Sequence, residues 1–212
     1  MVDKKTDGLI LDVDGTLWDS TPIVARAWQR AVHDSGLPDY SVTPDMLKGL
    51  FGKTMTAITR EMFPQMEEEK RVRIMELCCA YEHEELLVDP CNICYPEVIS
   101  GIQAMSKEVP IFIVSNCQSG YIELFLEKTE LGPYVKDIEC FGNTRLSKGE
   151  NIALVVKRND LKSPYYVGDT QGDCDAAAEA GVPFVFASYG FGTVSRMDGK
   201  IERFSDLWDF LK

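Results

Sequence analysis

The run Leu9-Ile10-Leu11-Asp12-Val13-Asp14-Gly15-Thr16-Leu17 decides how this chain is read. Three large aliphatic residues, then two acids and a glycine, describe a strand buried on both faces that stops at a polar edge. In open parallel sheets the carboxyl ends of the strands carry function. Asp12 and Asp14 stand at such an end. Two residues apart on an extended segment, they share a side.

Working outward, residues 109–114 and 165–167 are apolar in the same way, and residues 138–141 and 183–187 read as two further strands. Helical spacing lies between them. Tyr121, Ile122, Phe125, Leu126 and Thr129 form one stripe with Gly132 as its stop, and Ile152, Val155, Val156 and Asn159 form another. Residues 173–180 are rich in alanine and end at Gly181. Residues 205–211 have an apolar face behind a capping Ser205. Strands alternating with helices predict an α/β fold, a Rossmann-like parallel sheet with helices on both faces.

Residues 19–89 break the alternation. Pro22 suits a first turn, and Ile23/Val24, Ala27/Trp28 and Ala31/Val32 make a stripe ending at Gly36. Residues 44–50, 54–63 and 67–87 are helical in pattern as well. The expected organisation is a core domain from residues 1–18 and 90–212, with an all-α domain, 19–89, inserted after the first strand. Trp18 is expected to pack at the junction.

Composition narrows the function. The chain has 212 residues, 45% apolar and 26% charged, which suits a folded domain with a sizeable core. A net charge of −12 argues against nucleic acid or an anionic membrane as partner. The longest apolar run, 109–114, is far short of the roughly 18 residues that span a bilayer. The charged start, Met1 to Asp7, lacks the apolar stretch of a signal peptide, so a cytoplasmic location is expected. Two histidines argue against a His-based zinc site or dyad, and seven scattered cysteines read as reduced thiols. Cys91 and Cys94 form one C-x-x-C with no second pair to complete a zinc site.

The strand ends supply Asp12 and Asp14, then Ser115 and Asn116, then Lys148, then Asp169 with Asp173 four residues on. Carboxylates gathered at one edge repel unless a cation sits among them, and an all-oxygen donor set selects a hard ion such as Mg²⁺. A lysine and a helix N-terminus, expected near Gln118, complete a site for a phosphoryl group. There an aspartate can be the nucleophile, and its neighbour two residues on can move the proton.

These residues carry a resemblance. Asp12-Val13-Asp14-Gly15-Thr16-Leu17, Val114-Ser115-Asn116, Lys148 and Gly168-Asp169-Thr170-Gln171-Gly172-Asp173 resemble, in order and over essentially the whole chain, the four motifs of haloacid dehalogenase superfamily phosphatases. The likeness is to the group with a helical cap after the first motif. It implies Asp12 as nucleophile, Asp14 as general acid/base, Ser115 and Asn116 at the phosphoryl group, and Lys148 as its neutralising lysine. It implies Mg²⁺ held by Asp12, the Asp14 backbone carbonyl and Asp169, with Asp173 binding directly or through water. Gly149 departs from the proline that relatives often carry there. The expected electrostatics are an ionised Asp12 and a protonated Asp14, the latter favoured by neighbouring carboxylates, the two titrating as one unit.

Gly52-Lys53-Thr54 looks like the end of a P-loop, but position 47 is Leu47, so the glycine that motif needs is missing. In capped relatives a glycine-bearing loop near here reads the substrate, which makes Gly52 and Lys53 candidate substrate contacts. A plain helix–helix turn is the alternative. Tyr189-Gly190-Phe191-Gly192 reads as a turn near the site. The functional expectation is a Mg²⁺-dependent phosphatase for a small phosphorylated metabolite of the phosphoglycolate kind, monomeric or a homodimer. A sugar phosphomutase like β-phosphoglucomutase, and a phosphatase for pyrophosphate or a nucleotide monophosphate, stay open as alternatives. A dehalogenase is disfavoured by Asp14, and a non-catalytic module by the completeness of the motifs.

Overall fold

The computed structural model describes residues 6–211, so most of the charged start lies outside it. Six strands form one parallel sheet: β1 (Leu9–Leu11), β2 (Ile111–Ser115), β3 (Asp137–Cys140), β4 (Tyr165–Gly168), β5 (Phe184–Ala187) and β6 (Gly199–Ile201). Their order is β3-β2-β1-β4-β5-β6. The order reverses at β1, so Asp12 emerges at the switch point, where open sheets leave a crevice. The register pairs Leu11 with both Ile113 and Val167, which aligns the carboxyl ends of β1, β2 and β4.

The central strands β1 and β2 are buried on both faces. Leu9, Leu11, Ile111 and Ile113 face α5 (Val98–Met105) and α6 (Tyr121–Thr129), packing with Val98, Ile102, Met105 and Phe125. Ile10, Phe112, Val114 and Tyr166 face α8 (Lys148–Arg158) and α9 (Gln171–Ala180), with Ile152, Val155 and Ala177. Removing one such buried Leu or Ile side chain costs about 2–5 kcal/mol. No described helix is long and apolar enough to cross a membrane.

Between β1 and α5 come α1 (Thr21–Asp34), α2 (Pro44–Lys48), α3 (Met55–Met62) and α4 (Glu68–Val88), all within a residue or two of the patterns read from sequence. They pack chiefly on one another, α1 against α4 most of all. The chain leaves and re-enters the sheet layer side by side: Asp19 N–H donates to Ile93 O (2.9 Å) and Tyr95 N–H to Leu17 O (3.0 Å).

Several expectations need correction. α6 begins at Tyr121 rather than near Gln118, behind a left-handed Gly120 (φ 88°). It ends at Glu130, in the left-handed region, before Gly132 is reached. β6 and α5 were not foreseen. β6 is three residues of Gly-Lys-Ile at the sheet edge, too short for a pattern. The last stretch is a 3₁₀ helix, Phe204–Phe210, entered at Arg203. Asp206, not Ser205, accepts the free N–H groups of Glu202 and Arg203 (2.9 and 3.0 Å). α7 (Phe141–Thr144) is a single turn after β3.

Candidate active site

Asp12 leaves β1 almost fully buried, and its neighbours come from α8 and α9. Lys148, first residue of α8, donates from Nζ to Asp12 Oδ1 (3.0 Å) and Asp173 Oδ1 (2.6 Å). A Ser147–Glu150 capping box fixes the start of α8 and so the origin of the lysine. Arg145 and Lys157, the other basic residues nearby in sequence, are exposed. Gly149 is packed against α9: a Cβ there would lie 2.3 Å from Glu179 Oε2.

Asp173 does two jobs. It closes a capping box at the start of α9, its Oδ2 accepting from Thr170 N–H (2.9 Å) and Thr170 Oγ1 (2.6 Å). Its Oδ1 takes Lys148 and the Tyr166 hydroxyl (3.3 Å). Both oxygens are therefore engaged, and Asp173 serves here as an anchor for Lys148. Asp169 is fully buried. Its Oδ1 accepts from Thr16 Oγ1 (3.3 Å) and its Oδ2 from the Phe191 N–H (2.7 Å). The loop at Tyr189–Gly192 thus supplies a backbone donor to the cluster. Gly190 has no room for a side chain, since a Cβ would stand 2.3 Å from Gly15 O and 2.4 Å from Asp169 Cβ.

Asp12, Asp169 and Asp173 each offer a carboxylate oxygen, all within 4.8 Å of one another. Burial pushes Asp12 up to about 7 against the pull of Lys148, and holds Asp169 well above the usual carboxylate range, helped by Asp173 and Asp12. Burial also works on Asp173, but Lys148 and Thr170 outweigh it and hold that carboxyl low. Such a set of hard oxygen donors suits a divalent cation, whose charge would offset the repulsion.

Asp14 is held differently. Its Oδ1 accepts from Ser20 Oγ (2.6 Å), Tyr121 OH (2.8 Å) and Trp18 Nε1 (2.9 Å). Burial raises its pKa to about 6, with those three bonds working the other way. Burial, not neighbouring carboxylates, is what favours its protonated form. Asp12 is also tied electrostatically to Lys148 and Asp173 more than to Asp14. Asp14 adds a smaller push on Asp12 in the same direction as burial.

Trp18 is fully buried, edge-on to Phe125 (5.0 Å) and Tyr121 (5.7 Å). Its backbone bridges to Asp14 and Cys94 at the junction. Ser20 sits at the N-cap of α1 yet makes no side-chain cap bond, because its hydroxyl is given to Asp14. Nothing in the sequence singles out Ser20, since a serine before Thr21-Pro22 reads as an ordinary helix cap. Nothing in the sequence signalled Tyr121, which lies 107 positions from its partner.

Asp12, Asp14, Ser115 and Asn116 from the sheet edge share one cavity of about 30 Å³ with Gly52 and Lys53 of the α2–α3 loop. This is room for little more than water. Asn116 Nδ2 donates to Gly52 O (2.8 Å). Gly52 is left-handed (φ 88°) and leans on Thr170. The Lys53 ammonium is spent on Glu61 (2.5 Å) and is exposed. Glu82 of α4 lines the cavity too, as does Gln118. The sequence reading has Gln118 only as the start of a helix near the site and does not single out Glu82. A wider groove, about 880 Å³ between the end of α1 and α4, shares none of these residues.

The order of these groups along the chain matches a known pattern. The model of the haloacid dehalogenase-like hydrolase family covers residues 9–187. The chain belongs to that family. Within it, phosphoglycolate phosphatase of Aquifex aeolicus is 26% identical over 207 residues, spanning 94% of this chain and 93% of that protein. Phosphoglycolate phosphatase of Escherichia coli K12 is 24% identical, over 90% and 84%. The crystal structure of a predicted phosphoglycolate phosphatase from Haemophilus somnus superposes with a TM-score of 0.85 at 20% identity, covering 99% of both chains. That likeness concerns the family's fold: a parallel sheet wrapped by helices.

Proposed function

We propose that this family member is a Mg²⁺-dependent phosphatase for a small phosphomonoester. Residues 19–89 act as its cap, and the reaction runs through an aspartyl-phosphate. The observation that carries the reading is the pairing of environments at one cavity: Asp12 clamped by Lys148 beside two further carboxylates, and Asp14 raised by burial and held by three donors. The names of the relatives support the class, and phosphoglycolate is the first compound they suggest.

Asp12, with the Asp14 carbonyl and Asp169, would hold Mg²⁺. When bound, the ion neutralises phosphoryl oxygens and keeps Asp12 ionised despite its burial. In the first step Asp12 Oδ attacks phosphorus and the ester P–O bond breaks. Protonated Asp14 passes its proton to the departing alkoxide. In the second, Asp14 takes a proton from water as the water oxygen attacks phosphorus. Inorganic phosphate leaves and Asp12 is restored. Lys148 stabilises negative charge on Asp12 and the phosphoryl group in both steps. The Ser115 hydroxyl orients the phosphoryl oxygens, and Asn116 contacts the substrate beside it. The closed cap excludes bulk water, and the small enclosed site favours a cytoplasmic metabolite over a macromolecule.

The test is phosphate release from p-nitrophenyl phosphate and from a metabolite panel, with and without Mg²⁺. Wild type should turn over only with Mg²⁺. Asp12→Asn should lose about 10³-fold or more while keeping its circular dichroism spectrum. Equal turnover by Asp12→Asn and wild type would sink the covalent mechanism.

A further inference from the structure

The wall of the cavity facing the phosphoryl site has an unusual chemistry. α4 buries Ile74, Cys78, Glu82 and Leu86, four residues spaced by four. Glu82 takes a position on that stripe where an apolar residue is expected, and it is only 3% exposed. Its Oε2 accepts from Trp28 Nε1 (2.7 Å) on α1, and its Oε1 from Gln118 Nε2 (2.8 Å) on the loop after β2. Among the described residues no cation pairs with it; Lys53, the one basic residue lining the cavity, pairs instead with Glu61 in an exposed ion pair.

The opposite side of the same cavity adds a second acceptor. The Gly52 carbonyl can only accept, so Asn116 must turn its NH₂ toward it. That leaves Asn116 Oδ1 buried with no partner, the only such side-chain polar atom among the described residues. A buried acceptor without a donor costs about 1–3 kcal/mol and persists where something else fills the role. With the phosphoryl end held by Asp12, Ser115 and Lys148, the remaining wall offers acceptors and acids: Glu82, Asn116 Oδ1 and Asp14. A carboxylate entering there would find acceptors at Asn116 Oδ1 and at Glu82, whose oxygens already receive Trp28 and Gln118, with exposed Lys53 the one cation among the lining residues.

The geometry points to Glu82 and Asn116 as specificity residues that select a leaving group bearing a hydrogen-bond donor, hydroxyl or ammonium, at the end away from phosphorus, and reject a carboxylate there. This rests on the phosphatase reading above and refines its substrate class away from phosphoglycolate itself. Glu82 still has lone pairs for a third donor once Trp28 is served, and lifting of the cap releases the Gln118 bond for exchange with substrate. Burial pushes the Glu82 carboxyl up to about 8, so it lacks the counter-charge that an ammonium would supply.

Three two-carbon phosphomonoesters differ only at the far carbon: 2-hydroxyethyl phosphate, phosphoethanolamine and phosphoglycolate. Each is measured as substrate, and as competitor of p-nitrophenyl phosphate turnover, on wild type and Glu82→Gln with Mg²⁺. Wild type should prefer the hydroxyl or ammonium compound over phosphoglycolate by about tenfold or more in kcat/KM or in Ki. Preference for the ammonium identifies Glu82 as a counter-charge, and preference for the hydroxyl identifies it as an acceptor. Glu82→Gln should shift the preference toward phosphoglycolate by about tenfold, through KM rather than kcat, and each preference is read as a ratio within one protein, so a change in turnover common to all three compounds drops out. The Gln118 amide can flip to suit that variant, and a melting curve checks its fold. Phosphoglycolate as the best of the three, or a preference unchanged in Glu82→Gln, overturns the inference and leaves the phosphatase reading standing. Absence of Mg²⁺-dependent p-nitrophenyl phosphate turnover overturns the phosphatase reading instead.

Discussion

Asp14 shows how much of this site is made by single hydrogen bonds. Three donors converge on one oxygen, from the junction (Trp18), the start of α1 (Ser20) and the start of α6 (Tyr121). They fix the carboxyl where a leaving group would need its proton. Tyr121→Phe removes one donor without changing the ring packed on Trp18. It should lower kcat about tenfold with KM nearly unchanged, since a hydrogen bond to a charged group is worth about 1.5–3 kcal/mol. The lost bond is one that lowers the Asp14 pKa. The alkaline limb of the kcat/KM profile, where the proton donor is lost, should therefore move to higher pH in the variant. A limb that moves to lower pH contradicts the role given to Asp14. Gly190 is the second single-residue case. A methyl group there meets Gly15 O and Asp169 Cβ, neither of which can move aside. Gly190→Ala should weaken Mg²⁺ binding by about tenfold or more, read by calorimetric titration, while the far-ultraviolet spectrum is kept.

At the scale of elements, α4 carries a carboxyl inside an apolar stripe, and that has a pH signature. Glu82 ordinarily titrates near 4.5 and is pushed up to about 8 by burial, with Asp14 adding to the rise. An acid with a raised pKa in the fold favours folding while both states hold the proton. That advantage fades as the unfolded chain ionises above 4.5, and it is gone once the folded group ionises near 8. Wild type should therefore lose stability between pH 5 and pH 9 relative to Glu82→Gln. The upper bound is roughly 5 kcal/mol at about 1.4 kcal/mol per pH unit. Melting temperatures of the two proteins should diverge by about 5 °C or more over that range. Parallel curves would show that Glu82 is not buried as described. The same stripe held the sequence signal that went unread: Ile74, Cys78, Glu82, Leu86 is a helix face with one charged residue inside it.

For the whole molecule, the fold concentrates negative charge at the sheet switch point and supplies one buried lysine, Lys148, against it, which leaves the rest of the compensation to the proposed cation. Mg²⁺ should then raise the melting temperature. At about ten times the dissociation constant the gain is about 1.4 kcal/mol, or roughly 3–6 °C for a chain of this size. Asp169→Asn should abolish that response and, in chelator, melt above wild type, because a buried like charge is gone. Wild type that ignores Mg²⁺ would refute the metal role of the Asp12–Asp169 cluster.

The sequence by itself determined the layered fold and the residues at its chemical edge. Apolar runs closed by Asp12, Ser115 and Asp169 are local facts, because a strand buried on both faces must be apolar throughout and must stop where it becomes polar. The helices of residues 19–89 were legible through helical spacing and through Pro22 in a first turn, which are local facts as well. Only the tertiary structure decided what each edge residue faces. It joined Tyr121 to Asp14 and Gln118 to Glu82, and turned Lys53 toward Glu61. It gave Asp173 to Lys148 and the Phe191 N–H to Asp169. These contacts depend on distances between segments far apart in the chain, and hydrogen bonds, unlike burial, have no period along a sequence from which they could be read.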